Sequence, residues 1–304
     1  YSNYKLKLLN AIIIMYIFLT LTSLFFQIIP RGIALLIGRM MGSFFYLFVP
    51  IRKTIAIKNL DIAFPKWSIN KKKSILHLCY CHYGMIFIDF LRLPRYKRKK
   101  NHILVNIPKS SYNLLKKHNG GIIMSGHIGN WEYIGPSLGI NGIDCAGVAQ
   151  IQHNNTSNYF FNKLRASKNV KIIPVDGGSK VMIDAIKSGS YLGLISDQNA
   201  GKRGIEVQFF NEFVSVPKGA GAFHLKTNSP ILLGFCILST NFNYDLSFYE
   251  LDLKNLPIKS NEAIREINQR YSNILEKIIK KYPQQYFWFH RKWKKYHYKG
   301  LSNY

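Results

Sequence analysis

One short segment, 121–132, combines a histidine and a carboxylate at a spacing that suits acid–base chemistry. Its first five residues, 121–125, are apolar and predict a strand. His127 follows at the carboxyl end of that strand, which is the edge where open α/β sheets place their ligands. Glu132 comes five residues after His127. On one continuous helix these two side chains would point about 140° apart, so a turn must separate them if they are to meet.

The residues between them supply that turn. Gly129 permits a tight turn, and Asn130 is a good N-cap, so we expect a helix that begins at Trp131 with Glu132 in its first turn. A carboxylate beside an imidazole fixes its tautomer, so His127 and Glu132 predict a general base that deprotonates a substrate hydroxyl. Backbone N–H groups at the helix start, near Gly129 and Asn130, are expected to bind the substrate where negative charge develops. The local pattern leaves a second interpretation open, a buried histidine beside a capping glutamate.

The chain around this segment alternates strands and helices. This predicts an α/β fold with a mixed, largely parallel central sheet flanked by helices. Strands are expected at 121–125, 143–149, 170–175, 191–196, 231–238 and 246–253. Helices are expected at 69–91, 131–138, 156–168, 179–187, 217–228 and 261–282.

The N-terminal part predicts attachment to a membrane. The run from Leu8 to Ile29 contains no Lys, Arg, Asp or Glu, and as a helix it is about 30 Å long, enough to cross the hydrocarbon layer. A second apolar stretch, 33–49, carries a charged residue and is expected to be a buried or interfacial helix. We therefore expect an anchor with an interfacial helix over 1–50 and a catalytic domain over 51–304. More basic residues follow the first run than precede it, which places the catalytic domain in the cytoplasm.

The net charge of the chain indicates which kinds of partner it binds, but it does not indicate the fold. Lys and Arg number 42 against 15 Asp and Glu, a formal net charge of +27. Such a surface suits anionic lipid headgroups, acidic carrier proteins or nucleic acid. The four cysteines form no CxxC pair and are expected to be small buried hydrophobic residues in a reducing compartment.

Four blocks of sequence resemble one family. The segment GHIGNWE, 126–132, resembles the His-x4-Glu/Asp signature of glycerolipid acyltransferases, in the version found in the late acyltransferases of lipid A, the lauroyl and myristoyl transferases. The blocks RKTIAIKNLDIAFP at 52–65, SDQN at 196–199 and YPQQYFWFHRKWK at 282–294 are similar to other blocks of that family and stand in its order. The resemblance therefore covers almost the whole chain.

The resemblance implies a membrane-bound enzyme of lipopolysaccharide biosynthesis at the cytoplasmic face of the bacterial inner membrane. It implies transfer of an acyl group from acyl carrier protein to a hydroxyl of a lipid A precursor. His127 is then the base and Glu132 its partner. Arg165 matches a family arginine, which we expect to hold phosphate or the developing oxyanion, and Asp197 is expected to orient Arg165 or the substrate.

The implied partners are acyl carrier protein, a lipid A precursor and anionic inner-membrane lipids, whereas nucleic acid is not expected. The thioester donor supplies the driving force, so no cofactor or metal is required.

Three other functions stay open at this point. A related acyltransferase acting on a lysophospholipid or another glycolipid would share the histidine and the carboxylate. The tail HRKWKKYHYK, 290–299, interleaves aromatic and basic residues as strand-binding surfaces do, which leaves a nucleic-acid-binding protein as a weaker hypothesis. A catalytically silent membrane scaffold is the third.

Overall fold

A seven-stranded sheet organises the chain. The structure, a computed structural model, describes residues 2–49, 51–99, 103–152 and 154–300. The strands are β1 Val105–Asn106, β2 Gly121–Ser125, β3 Cys145–Ala149, β4 Val170–Pro174, β5 Tyr191–Ile195, β6 Ile205–Phe209, β7 Glu212–Val216, β8 Ile231–Leu238 and β9 Tyr244–Glu250. The helices are α1 Ser2–Ile28, α2 Arg31–Phe48, α3 Lys53–Ala63, α4 Ile69–Leu91, α5 Leu93–Lys99, α6 Lys109–His118, α7 Ile134–Ile140, α8 Asn155–Arg165, α9 Ser179–Lys187, α10 Gly219–Thr227 and α11 Ser260–Lys281.

The order of strands in the sheet is β1-β9-β8-β2-β5-β3-β4. All neighbours are parallel except β8 and β9, which are antiparallel. Every residue of β2 and β8 is buried, because helices cover both faces of the sheet and leave apolar cores on each side. The predicted α/β fold with a mixed, largely parallel sheet is confirmed.

A separate antiparallel hairpin, β6 and β7, packs against α11 and was not predicted. Its two turn residues, Phe210 and Asn211, have φ of 51° and 63°. Positive φ at both central positions is the geometry of a tight hairpin turn, for which Asn-Gly is the usual sequence signal. The dipeptide Phe-Asn hides that signal, because phenylalanine rarely adopts a positive φ.

The two N-terminal helices pack against later elements of the chain, α1 against α8 and α4, and α2 against α4. α2 packs along α4 so closely that a Cβ added at Gly38 would collide with the backbone of Gly84. Among the described residues, Arg31–Phe48 and Ile69–Leu91 are long and apolar enough to cross a membrane, and most of the second lies buried in the protein. The division into an anchor over 1–50 and a catalytic domain over 51–304 stays a prediction.

Candidate active site

Two adjacent parallel strands bring the candidate catalytic residues together. β2 ends at Ser125 and β5 ends at Ile195, and these two residues are partners in the sheet. The N–H of Ser196 donates to the carbonyl of Ser125 over 2.8 Å, so the register continues one residue further. His127 and Asp197 each follow two residues after the end of their strand. Equivalent positions on neighbouring parallel strands place both side chains at the carboxyl edge of the sheet.

A short hydrogen bond joins the two side chains. Nδ1 of His127 lies 2.7 Å from Oδ1 of Asp197, and the carboxylate is 3% exposed while the imidazole is 20% exposed. Burial alone would raise the pKa of Asp197, but the charge and hydrogen bond of His127, with the charge of Lys292, hold that pKa well below its ordinary value. The ionised carboxylate accepts the Nδ1 proton, which assigns the lone pair of the neutral ring to Nε2. This arrangement suits a general base.

The prediction that Glu132 holds the imidazole is wrong in this structure. The two oxygens of Glu132 accept from Nε and Nη2 of Arg165, each over 2.7 Å. A guanidinium offers two parallel N–H groups that match both carboxylate oxygens, so it is the stronger partner for this side chain. The expectation that Asp197 orients Arg165 is corrected by the same contacts, because Glu132 orients the arginine and Asp197 orients the histidine.

Arg165 lies at the last turn of α8, and its guanidinium carbon is 5.1 Å from the ring centroid of Phe90. Burial disfavours its charge, but the hydrogen bonds and charge of Glu132 outweigh burial and raise the pKa of Arg165 above its ordinary value. Arg165 is a fixed cation, and within the described ranges its Nη1 makes one long contact, 3.4 Å to Asn162. That nitrogen is the one suited to a phosphate or an oxyanion.

The remaining surroundings of the imidazole are aromatic and amide groups. The ring centroid of His127 lies 4.8 Å from that of Trp131 and 5.9 Å from that of Phe287. Nε2 is 3.3 Å from the side-chain nitrogen of Gln198. The carbonyl of His127 accepts from the N–H of Phe287 and from the hydroxyl of Tyr83, each over 2.9 Å. These contacts hold the backbone and leave Nε2 the reactive atom.

Gly129 is required by the turn that follows the histidine. Its φ is 61°, and a Cβ there would collide with the carbonyl of Cys236. The N–H of Gly129 donates to Gln285 over 3.0 Å, and that of Asn130 donates to Cys236 over 2.7 Å. The expectation that these two N–H groups bind the substrate is therefore wrong, because protein carbonyls already occupy them.

Asn130 is fully buried, and its side chain makes no capping hydrogen bond. Its Nδ2 contacts the hydroxyl of Tyr244 at 3.0 Å, and that hydroxyl donates to Asp89 over 2.8 Å. Because the tyrosine proton goes to Asp89, its oxygen must accept from Asn130, and this fixes the orientation of the amide. Oδ1 of Asn130 is then a buried acceptor with no hydrogen-bond partner among the described residues.

A C-terminal segment, 285–293, holds both loops of the site, a role that the sequence did not reveal. The ammonium of buried Lys292 donates to the carbonyl of Asp197, and the N–H of Asn199 donates to Nε2 of His290 over 3.2 Å. Burial lowers the pKa of His290 to about 4, so its ring is neutral and accepts that bond. Burial also lowers the pKa of Lys292 to about 8, although Asp197 acts in the opposite direction. The family-like block in this segment is thus a support for the site.

The block near the N-terminus meets this segment through Asn59, which is buried in α3. Its amide nitrogen donates to the carbonyl of Trp288 over 2.5 Å and to that of His290 over 2.8 Å. Its amide oxygen accepts from the hydroxyl of Tyr298 over 2.6 Å. Two blocks that are more than two hundred residues apart therefore form one framework behind the site.

A cleft of about 250 Å³ opens beside the histidine. One wall is the apolar side of α4, and the other is the loop that carries Asn130, Trp131 and Glu132. The residues of the first wall are Tyr83, Ile86, Phe87 and Phe90. Trp131 lines the cleft and also contacts the imidazole of His127, so the indole connects the cleft with the histidine.

An imidazole held by a buried carboxylate is the arrangement of a general base, and an apolar cleft lies near it. Residues 3–295 match the family model described as bacterial lipid A biosynthesis acyltransferase, and the chain belongs to this family. It is an enzyme that catalyses acyl transfer.

Two curated relatives are each 21% identical over 277 residues, covering 88% of this chain and 86% of theirs: the lipid A biosynthesis palmitoleoyltransferase of Escherichia coli (strain K12) and the lipid A biosynthesis acyltransferase of Shigella flexneri. Among solved structures, the 1-acyl-sn-glycerophosphate (LPA) acyltransferase PlsC of Thermotoga maritima is similar at 13% identity and a TM-score of 0.38. That match covers 82% of this chain and 98% of PlsC.

Proposed function

We propose that this enzyme moves a fatty acyl group from acyl carrier protein to a hydroxyl of a lipid A precursor, with Nε2 of His127 as the base. The observation that carries the proposal is the 2.7 Å bond between Nδ1 of His127 and Asp197, which leaves the lone pair of the imidazole on Nε2. The family and the names of its relatives support the lipid class.

In the proposed reaction, Nε2 takes the proton of the acceptor hydroxyl as its oxygen attacks the thioester carbonyl. The ionised Asp197 stabilises the imidazolium that forms. The tetrahedral intermediate then collapses, the carbon–sulfur bond breaks, and the imidazolium returns its proton to the leaving thiolate. The acceptor hydroxyl replaces the weak contact of Gln198 with Nε2. These steps conserve all atoms and electrons without a metal or a redox group.

Arg165 and Asn130 are proposed to bind the substrate around this centre. Nη1 of Arg165 would hold a phosphate or the oxyanion of the intermediate, with Glu132 as the group that positions the guanidinium. Oδ1 of Asn130 would accept from an N–H or O–H of the substrate, because a buried amide oxygen is costly to leave without a partner. The apolar wall of the cleft would hold the acyl chain.

The test is acyl transfer by the full chain in phospholipid vesicles, with acyl carrier protein thioester as donor. A lipid A precursor and lysophosphatidic acid are offered as competing acceptors. We expect transfer to the lipid A precursor, and its loss in His127→Ala. His224→Gln is the control, because His224 lies in the last turn of α10 and bonds the carbonyl of Ser229 before β8, at the opposite edge of the sheet. Full activity of His127→Ala would refute the base, and preference for lysophosphatidic acid would refute the acceptor.

A further inference from the structure

The C-terminal half of α1 contacts the catalytic part of the chain both where this half begins, at Tyr16, and where the helix ends. Near the middle of the helix, the ring of Tyr16 packs against Tyr159 and Phe160 of α8, and its hydroxyl accepts from Lys163 over 3.1 Å. At the end of the helix, Arg92 donates to the carbonyl of Ile29 over 2.9 Å.

Two further bonds fasten the segment between these ends. Ser23 donates to the carbonyl of Leu91 over 2.7 Å, and Arg98 donates to the side chain of Gln27 over 2.9 Å. The fastened part from Tyr16 to Ile28 is therefore about 18 Å long.

This attachment conflicts with a helix that crosses the bilayer. The apolar run begins at Leu8, directly after Lys7, so only about 12 Å of it precedes Tyr16. If the whole run lay across a hydrocarbon layer of about 30 Å, Tyr16 would sit more than halfway through it. Lys163 and the asparagine-rich start of α8 would then lie in hydrocarbon, where charged and polar groups are strongly disfavoured.

The face of α1 that turns away from the protein is exposed and apolar. Phe18 and Leu21 are 66% and 60% exposed, and Phe25 and Ile28 continue the same face. Lys163 and Arg98 bond to this helix near its middle and near its end. Cations beside an apolar stripe match the anionic headgroups that border the acyl region of a membrane.

α2 has the same two-sided character. The face with Gly38 and Gly42 packs on α4, while the opposite face exposes apolar side chains at helical spacing. These exposed residues are Ile33, Leu36, Met40, Phe44, Leu47 and Phe48. Because α4 is mostly buried in the protein, α2 cannot enter a bilayer lengthwise without taking the catalytic part with it.

We propose that α1 and α2 lie in a single phospholipid leaflet, with the N-terminus on the same side of the membrane as the catalytic part, and that neither helix crosses the bilayer. The expectation of a spanning anchor is thereby replaced. The proposal does not depend on which acyl acceptor the enzyme uses.

Single cysteines introduced into the full chain test this placement. Asn3→Cys precedes the apolar run, and Ser179→Cys lies at the exposed start of α9 in the catalytic part. The four native cysteines are buried, and the unsubstituted chain reports any background. With a membrane-impermeant maleimide, we expect both introduced cysteines to react in inside-out vesicles and neither in right-side-out spheroplasts. Reaction of Asn3→Cys only in the spheroplasts would establish a crossing helix and overturn the proposal.

A second measurement tests what covers the apolar face. Nitroxide labels at Phe18→Cys and Phe44→Cys, in vesicles of anionic phospholipid, should relax with dissolved oxygen and not with a water-soluble nickel complex. The label at Ser179→Cys should show the reverse. Dipolar broadening between labels at Phe18 would mean that a second copy of the chain covers this face, which would also overturn the proposal.

Discussion

Asp197→Asn removes the charge that faces the imidazole while preserving the shape of the side chain. The carboxylate contacts Nδ1 at 2.7 Å and is 3% exposed, so solvent screens the pair little. Two unit charges about 4 Å apart interact by about 4 kcal/mol at an effective dielectric constant of about 20. Because that interaction is absent while the imidazole is neutral and present once it takes a proton, it acts on the transition state. A loss of about 4 kcal/mol corresponds to about a 10³-fold fall in kcat.

The assay is single-turnover acyl transfer from the thioester donor at saturating acceptor, for the wild type, Asp197→Asn and the control Asp184→Asn. Asp184 is an exposed residue of α9 and should leave the rate unchanged. Thermal unfolding of each variant shows whether the fold is retained. A rate for folded Asp197→Asn within about tenfold of the wild type would refute the electrostatic role of Asp197.

Three further predictions concern the pairs and surfaces around this centre. In denaturant titrations, Glu132→Gln and Arg165→Gln should each lower the unfolding free energy by about 1.5–3 kcal/mol. The double variant should lose about as much as either single variant. Additive losses would refute the pairing of the two side chains. Folding lowers the pKa of Asp197, so its ionised form contributes stability that is fully present above about pH 4 and is lost as pH falls further. Asp197→Asn should remove this pH dependence from the unfolding free energy. An unchanged pH dependence in the variant would contradict the lowered pKa. Ile86→Trp fills the cleft and should shorten the preferred acyl chain, measured by mass spectrometry of products from a mixture of donors; an unchanged chain-length profile would place the acyl chain elsewhere.

The sheet and the position of the histidine followed from local sequence. The strand at 121–125 and the helices at 69–91 and 179–187 lie where the apolar patterns predict them. These patterns report burial on a sheet or along a helix face, which is a local property. The placement of His127 at the carboxyl edge then follows from the parallel sheet.

The partner of the histidine did not follow, because it depends on strand order. β2 pairs with β5, although β3 and β4 come between them in the chain. Only that crossover brings Asp197 next to His127, whereas the turn after His127 and the His-x4-Glu/Asp signature both point to Glu132. The end of α8 then supplies Arg165 as the partner of Glu132. Contacts between elements that are distant in the chain determine which side chains form pairs. The spacing of residues along the chain does not predict these contacts.

The roles of Asn130 and of the C-terminal segment were hidden for the same reason. A short polar residue before a helix usually caps it. The side chain of Asn130 is instead buried, and its amide nitrogen donates to the hydroxyl of Tyr244. Lys292 was one basic residue among many in a chain of net charge +27. Its burial and its bond to the carbonyl of Asp197 distinguish it, and both are properties of the folded chain.

The hydrogen bond between His127 and Asp197 is the centre of the account, and its proton can be observed directly. Histidine-selective ¹⁵N labelling and NMR of the detergent-solubilised enzyme should show a downfield Nδ1–H resonance, assigned by its loss in His127→Ala. We predict that this resonance persists in Glu132→Gln and vanishes or moves sharply upfield in Asp197→Asn. The opposite result, loss in Glu132→Gln and persistence in Asp197→Asn, would contradict the assignment of Asp197 as the carboxylate that holds the base.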